Sequence, residues 1–257
     1  MADIHPSAIV DKNAELHDTV QVGPFSIIEG DVVIDAGTTI ASNTLLASGT
    51  RIGKNCRIFN GAVLATVPQD LKFKNEKTTL EIGDNTTVRE FCTLNRGTTH
   101  SYKTVIGSNC LLMSYVHVAH DCRLGDNVIL ANAVNMAGHV QIQDFVGIGG
   151  MDPIHQFVRI GQHAFVGGGL RVDRDVPPYI LAAGDPLTYA GLNSVGLRRR
   201  GFDSELLMQM KRVYKLIYRS NLNVTQALTR IKEEFELVPE IKNIVDFIES
   251  SERGIIK

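Results

Sequence analysis

Stepping through the chain by six from Ile4 meets Val10, Leu16, Val22, Ile28, Ile34, Ile40, Leu46, Ile52, Ile58 and Leu64. The same phase returns at Ile82, Val88 and Leu94. It then runs unbroken from Ile106 through Leu112, Val118, Leu124, Leu130, Met136, Ile142, Ile148, Ile154, Ile160 and Val166 to Val172. Of these 29 positions 26 are Ile, Leu, Val or Met, against about 13 expected from a 44 % hydrophobic background, so the period is not chance. Six is neither the helical repeat nor simple alternation. It is the spacing of a solenoid in which each short strand turns one aliphatic side chain inward. With three strands per coil, as in known hexapeptide solenoids, positions 4 to 172 make about nine to ten 18-residue coils. Glycine follows the aliphatic at Gly23, Gly53, Gly83, Gly107, Gly125 and Gly161, where a corner needs backbone without a Cβ.

Three positions break the register: Asp70, Glu76 and His100. They fall in two segments, about 65–79 and 95–105, that read as loops leaving the coil, and loops on a regular scaffold tend to carry function. After Val172 the pattern changes to helical spacing. Asp203 or Ser204 can cap a helix with Leu206, Leu207, Met210, Val213, Tyr214 and Ile217 on one stripe. Leu228, Ile231 and Phe235 mark a second helix, and Pro239 opens a third. The expected architecture is therefore mainly β: a parallel β-helix over 1–185 followed by an α-helical domain over 186–257.

Composition narrows the function. The net charge of −2 argues against a nucleic-acid binder, and no apolar run is long enough to span a membrane. The cysteines Cys56, Cys92, Cys110 and Cys122 form no CxxC pair. Each falls four places after an aliphatic position, which reads as small inward filler in a reduced, cytoplasmic protein. An 18-residue coil stacks residues 18 apart at strand spacing, about 4.8 Å. That brings Ala119-His120-Asp121 beside Ala137-Gly138-His139, and this beside His155-Gln156-Phe157, with His117 near the same corner. Zinc ligation is one reading of such a cluster, but His117-x2-His120 lacks the His-x4-His spacing of zinc sites on solenoids of this kind. General-base catalysis is the other: His120 would take a proton, Asp121 would orient it, and the Gly138 N–H would meet a developing oxyanion. No metal and no cofactor is expected.

The string HVAHDCRLGDNVILANAVNMAGHV, with IHQF at 154–157, VPQDLK at 67–72 and GLRRRGF at 196–202, resembles the UDP-N-acetylglucosamine O-acyltransferases along essentially the whole chain. The resemblance implies a left-handed β-helix, a homotrimer, and active sites in the clefts between subunits. It also implies transfer of a 3-hydroxyacyl chain from acyl carrier protein to the sugar 3-hydroxyl of a UDP-sugar, the first step of lipid A biosynthesis. His120 would be the base, Asp121 its partner and Gly138 the oxyanion donor. Gln69, Asp70 and Lys72 would meet the sugar, with His117, His139, His155 and Gln156 lining the site. Asn193 and Arg199 would meet the nucleotide and its phosphates, and Gly168 would border the acyl chain. Relatives often have histidine where this chain has Asn95, and an acidic residue where it has Val195. A 3-amino UDP-sugar, giving an amide, is therefore the alternative acceptor, and another hexapeptide acyltransferase the alternative enzyme. Seven basic residues between Gly196 and Arg219 suggest a docking surface for the acidic carrier.

Overall fold

A computed structural model describes the whole chain, Met1–Lys257. Short parallel strands stack into three flat sheets of 11, 8 and 8 strands, wound as a left-handed β-helix. We number the faces in chain order, beginning with Asp3–Ile4, Ile9–Val10 and Glu15–Leu16. Register is set by the 18-residue coil: Ile28 pairs with Leu46, and Met136 with Ile154. From Val22 to Val172 every aliphatic register residue is buried, forming a continuous axial core. Ile4 is exposed, because the first coil has no neighbour on its outer side.

Two interruptions lengthen the coil. Ile58 pairs with Val88, 30 residues on rather than 18, and Val88 pairs with Leu112, 24 on. The extra residues lie between strands Val63–Thr66 and Thr79–Ile82, and between Thr93–Asn95 and Lys103–Ile106. Both loops leave from the corner between the second and third faces. The strands reach further into each segment than the register break suggested.

Corner chemistry differs from the expectation. Gly23, Gly53, Gly83, Gly107, Gly125 and Gly161 have no left-handed φ. They are needed because the next coil passes close: a Cβ on Gly125 would lie 2.8 Å from the Asp144 backbone nitrogen. The left-handed corner positions are taken instead by residues such as Asn55, Asn85, Asn109 and Asn127, with φ of 55–59°. Asparagine tolerates that region better than most residues. The four cysteines are free and buried, as the inward position requires.

The first face ends in a hairpin, Ile180–Ala183 with Thr188–Leu192, that adds to the solenoid sheet. A one-and-a-half-turn helix that the periodicity did not announce follows, α1 (Ser194–Arg199), capped by Asn193. Helices α2 (Ser204–Arg219, capped by Asp203), α3 (Val224–Glu234) and α4 (Pro239–Glu249) match the three expected. Tyr214 on α2 is fully buried and its hydroxyl donates to the Pro178 carbonyl, tying the helices to the solenoid.

Candidate active site at the second-to-third corner

His120 and Asp121 are chain neighbours at this corner, and Asp121 adopts a left-handed φ of 60°. The turn brings the two side chains to one side, with His120 Nδ1 at 2.8 Å from Asp121 Oδ2. The Asp121 carboxylate is buried and intensely solvated by protein. Oδ1 accepts from the Thr98 N–H, the Ser101 N–H and the Ser101 hydroxyl. Oδ2 accepts from the Thr98 hydroxyl at 2.7 Å as well as from His120. Burial alone would raise its pKa. The hydrogen bonds from His120, Ser101 and Thr98 overcome it and hold the group far below the usual carboxylate range. An ionised Asp121 can only accept, so Nδ1 of His120 must carry a proton, and the neutral ring keeps its lone pair on Nε2. That ring retains 14 % of its surface exposed.

Gly138 lies one coil on, directly against this ring. A Cβ there would meet His120 Cε1 at 2.7 Å and Nε2 at 2.8 Å, so only glycine leaves the imidazole its place. The Gly138 N–H donates to no group of the chain. His139 follows, its ring edge-on to His120 at 5.0 Å and stacked on Phe157 at 4.4 Å. Burial lowers its pKa, partly offset by Asp121 and reinforced by the nearby His100 and His120. Its buried Nδ1 has no hydrogen-bond partner and lies 3.9 Å from Asp121 Oδ2.

Beside the pair opens a cleft of about 360 Å³ lined by Asp70, Lys72, Phe73, Glu76, Thr98 and His100, with His139 and Phe157 at its base. The first loop thus brings Asp70 and Lys72 over the corner, while Gln69 is exposed and outside that lining. His117 lies three residues before His120, on the outer side of the second face, its Nδ1 bonded to the Thr93 hydroxyl at 2.7 Å; burial lowers its pKa. His155 and Gln156 lie at the same corner one coil beyond Gly138, with His155 Nδ1 against the Gln156 carbonyl. Thr98 and Ser101 escaped the sequence reading, and His100 and Phe157 entered it only as a register break and a stacked neighbour, without a place in the site. The stretch GTTHS, dense in donors inside a register break, was the available signal.

Two sets of expected residues lie elsewhere. Asn193 caps α1 and Arg199 is its last residue; Asn193 lies at the third-to-first corner, where its Nδ2 donates to the His163 carbonyl. There His163 stacks between Phe145 and Tyr179. Gly168 lies at the first-to-second corner, with Gly150 one coil before it. One chain therefore distributes the expected residues over all three corners. His120, Asp121 and His139 offer donor atoms within 4.8 Å of one another and so are the residues that could hold a metal. Asp121 is a poor ligand, however: five donors already occupy its roughly four lone-pair sites.

A wound solenoid carrying a His–Asp pair beside a polar cleft defines a transferase of the hexapeptide-repeat class, and a family profile described as bacterial transferase hexapeptide (six repeats) matches residues 103–138. A second profile, described as Udp N-acetylglucosamine O-acyltransferase, Domain 2, matches residues 175–256. The chain is 46 % identical over 262 residues, covering all of both chains, to an acyl-[acyl-carrier-protein]–UDP-N-acetylglucosamine O-acyltransferase of Herminiimonas arsenicoxydans. It superposes on the UDP-N-acetylglucosamine acyltransferase of Bacteroides fragilis with a TM-score of 0.97 at 45 % identity, covering 98 % of this chain and 99 % of that one. An Acinetobacter baumannii structure of the same kind gives 0.96 at 44 % identity, covering 99 % of each chain. This chain belongs to the UDP-N-acetylglucosamine O-acyltransferase family.

Proposed function

We propose that this protein transfers a 3-hydroxyacyl chain from acyl carrier protein to the sugar 3-hydroxyl of UDP-N-acetylglucosamine, opening lipid A biosynthesis in the cytoplasm. The carrying observation is the ionised Asp121, which leaves Nε2 of His120 as the free base. Nε2 takes the proton of the sugar hydroxyl as its oxygen attacks the thioester carbonyl. The Gly138 N–H, without an acceptor in the chain, stabilises the tetrahedral oxyanion. Asp121 stabilises the imidazolium that forms, and the low basicity of His139 keeps a second positive charge out of the corner. Collapse breaks the carbon–sulfur bond, and His120 returns its proton to the departing thiolate. Asp70 and Lys72 hold the sugar from the loop above, with His117, His155, Gln156 and Gln69 around it. No helix is long and apolar enough to cross a membrane.

Asn193, Arg199 and Gly168 complete the site only if neighbouring copies bring the other corners alongside, which the reading assigns to a homotrimer. Basic residues on α2, Lys211, Arg212, Lys215 and Arg219, present the charge that an acidic carrier needs. The test is His120→Ala, assayed with UDP-N-acetylglucosamine and a ladder of 3-hydroxyacyl carrier proteins, with products read by mass spectrometry. A folded variant should lose at least about 10²-fold in turnover. Unchanged turnover removes His120 from the mechanism, and wild-type product only with the 3-amino analogue moves the acceptor.

A further inference from the structure

Inside the corners, Ser26, Thr38 and Thr86 follow one bonding rule, from which Thr44 and Thr104 depart. Each of the three accepts from the backbone N–H one coil later and donates to a carbonyl three residues short of that. Ser26 accepts from the Thr44 N–H and donates to the Ala41 carbonyl. Thr38 accepts from Cys56 and donates to Gly53. Thr86 accepts from Cys110 and donates to Gly107. Cys110 and Cys122 keep the donating half, to Gly125 and Ala137. The rule is physical: a buried hydroxyl or thiol between two coils has one amide above it and one carbonyl beside it, and both need partners.

Asp152 occupies this position in a late coil and is fully buried. Its Oδ1 accepts from the Leu170 N–H at 2.7 Å, 18 residues on, as the rule requires. Its Oδ2 has no partner. The carbonyl the rule assigns to it is that of Gly167, 15 residues on, and no group of the chain donates to it. An orphan oxygen and an orphan carbonyl at positions that Ser26, Thr38 and Thr86 join are reconciled by one proton.

We propose that Asp152 is held as a neutral carboxylic acid whose Oδ2–H donates to the Gly167 carbonyl, and that losing this proton loosens the glycine segment 167–169. Desolvation works in the same direction, pushing the carboxyl up to about 6 against the two amides that favour the anion. No charged side chain contributes. Its surroundings act on it only through burial and the Leu170 and Gly169 backbone, and the nearest charged residues along the chain, Arg171 and Asp173, are exposed. Asp152 is thus a positioning residue, acting through backbone that carries Gly168. Only its effect on acyl selection rests on the acyl-pocket reading proposed above; the protonation itself does not.

The experiment compares the full-length wild type with Asp152→Asn, whose amide supplies the same acceptor and a permanent donor. A carboxyl with a raised folded pKa stabilises most when both states are protonated and loses that stabilisation as pH rises through its folded value. The wild-type melting temperature should therefore fall relative to Asp152→Asn between pH 4.5 and 8. A difference that stays flat, or an Asp152→Asn chain that does not fold, overturns the proposal. On the wild type alone, infrared spectra at pH 5 should contain a buried protonated-carboxyl band that is gone at pH 8. Its absence also overturns the proposal. Rates with short and long acyl donors, taken as a ratio so that pH effects common to both donors cancel, should change between pH 5.5 and 8 in the wild type but not in Asp152→Asn. A constant ratio beside a positive melting result supports the proton and removes Gly168 from acyl selection.

Discussion

Replacing Gly138 with alanine isolates the placement of the His120 ring from every other feature of the corner. The backbone accepts the change, since Gly138 is not left-handed, and the N–H proposed for the oxyanion is retained. What the new methyl meets is the imidazole: Cε1 at 2.7 Å, Nε2 at 2.8 Å and Nδ1 at 3.2 Å. Carbon–carbon contacts settle at about 3.5–4.0 Å, so the ring must retreat by roughly 0.7–1 Å. Moving that far takes Nδ1 from 2.8 Å to the limit of hydrogen bonding with Asp121 or beyond it. A displacement of this size in a reacting group costs on the order of 10²-fold in rate. Overpacking of this kind costs about 1–3 kcal/mol of stability, small enough for the solenoid to stay folded. The assay is kcat/KM with UDP-N-acetylglucosamine and the preferred acyl carrier protein, beside circular dichroism and a thermal melt. A folded variant within about threefold of wild type would refute the reasoning, because the ring would then not need the place that glycine leaves it.

Asp121→Asn replaces a carboxylate held by five donors with a group that carries its own donors, so stability should fall at pH 7. Because the folded pKa is depressed, that stabilisation is complete above the unfolded carboxylate range, about 4, and is lost as pH falls from there toward the folded value; the melting gap to wild type should hold from pH 7 to 5 and narrow below about pH 4, and a gap unchanged down to pH 3 would contradict it. Asn127, at φ 59°, should tolerate glycine, whereas valine should lower the urea midpoint by the equivalent of about 1–2 kcal/mol. Equal midpoints for the two variants would remove the left-handed requirement. Alanine at Lys211, Arg212, Lys215 and Arg219 together should raise KM for acyl carrier protein but not for the sugar nucleotide, with the difference fading at high salt. A salt-independent effect would point to packing instead.

The solenoid was legible because its core asks one thing of every sixth residue, and nothing else competes for that position. Val118 and Met136 bear this out in the coils that carry the site. Stacking by the coil length also placed Gly138 against His120 before any coordinates were needed. Loops obey no such period. Thr98 and Ser101 reach Asp121 because a six-residue insertion folds back over the corner, and no spacing in the sequence encodes that return. For the same reason α1 went unseen: six residues are too few for an amphipathic stripe, and its capping residue Asn193 had been assigned to the nucleotide. The glycine columns were located correctly but for another reason, since crowding between coils, rather than φ, excludes a side chain there.

A corner, rather than a face, is where such a fold can build a base and its partner from adjacent residues. Along a strand, successive side chains point to opposite sides, so a His–Asp neighbour pair would be split between core and solvent. The left-handed φ of Asp121 reverses that alternation, and the next coil supplies a wall whose glycine lies flat against the ring. The faces are also chemically spent, because their strands have committed N–H and C=O groups to the coils on either side. Corner amides such as that of Gly138 stay free to meet a substrate oxygen. The cost of this placement is exposure. A convex corner buries little of any ligand, and this one gains same-chain cover from the two loops that leave beside His120 on one side and from Ser250, Glu252 and Arg253 on the other. Asn193 and Gly168 lie on the other two corners of the same prism, and on the homotrimer reading proposed above rotated copies of the chain would bring those corners beside His120.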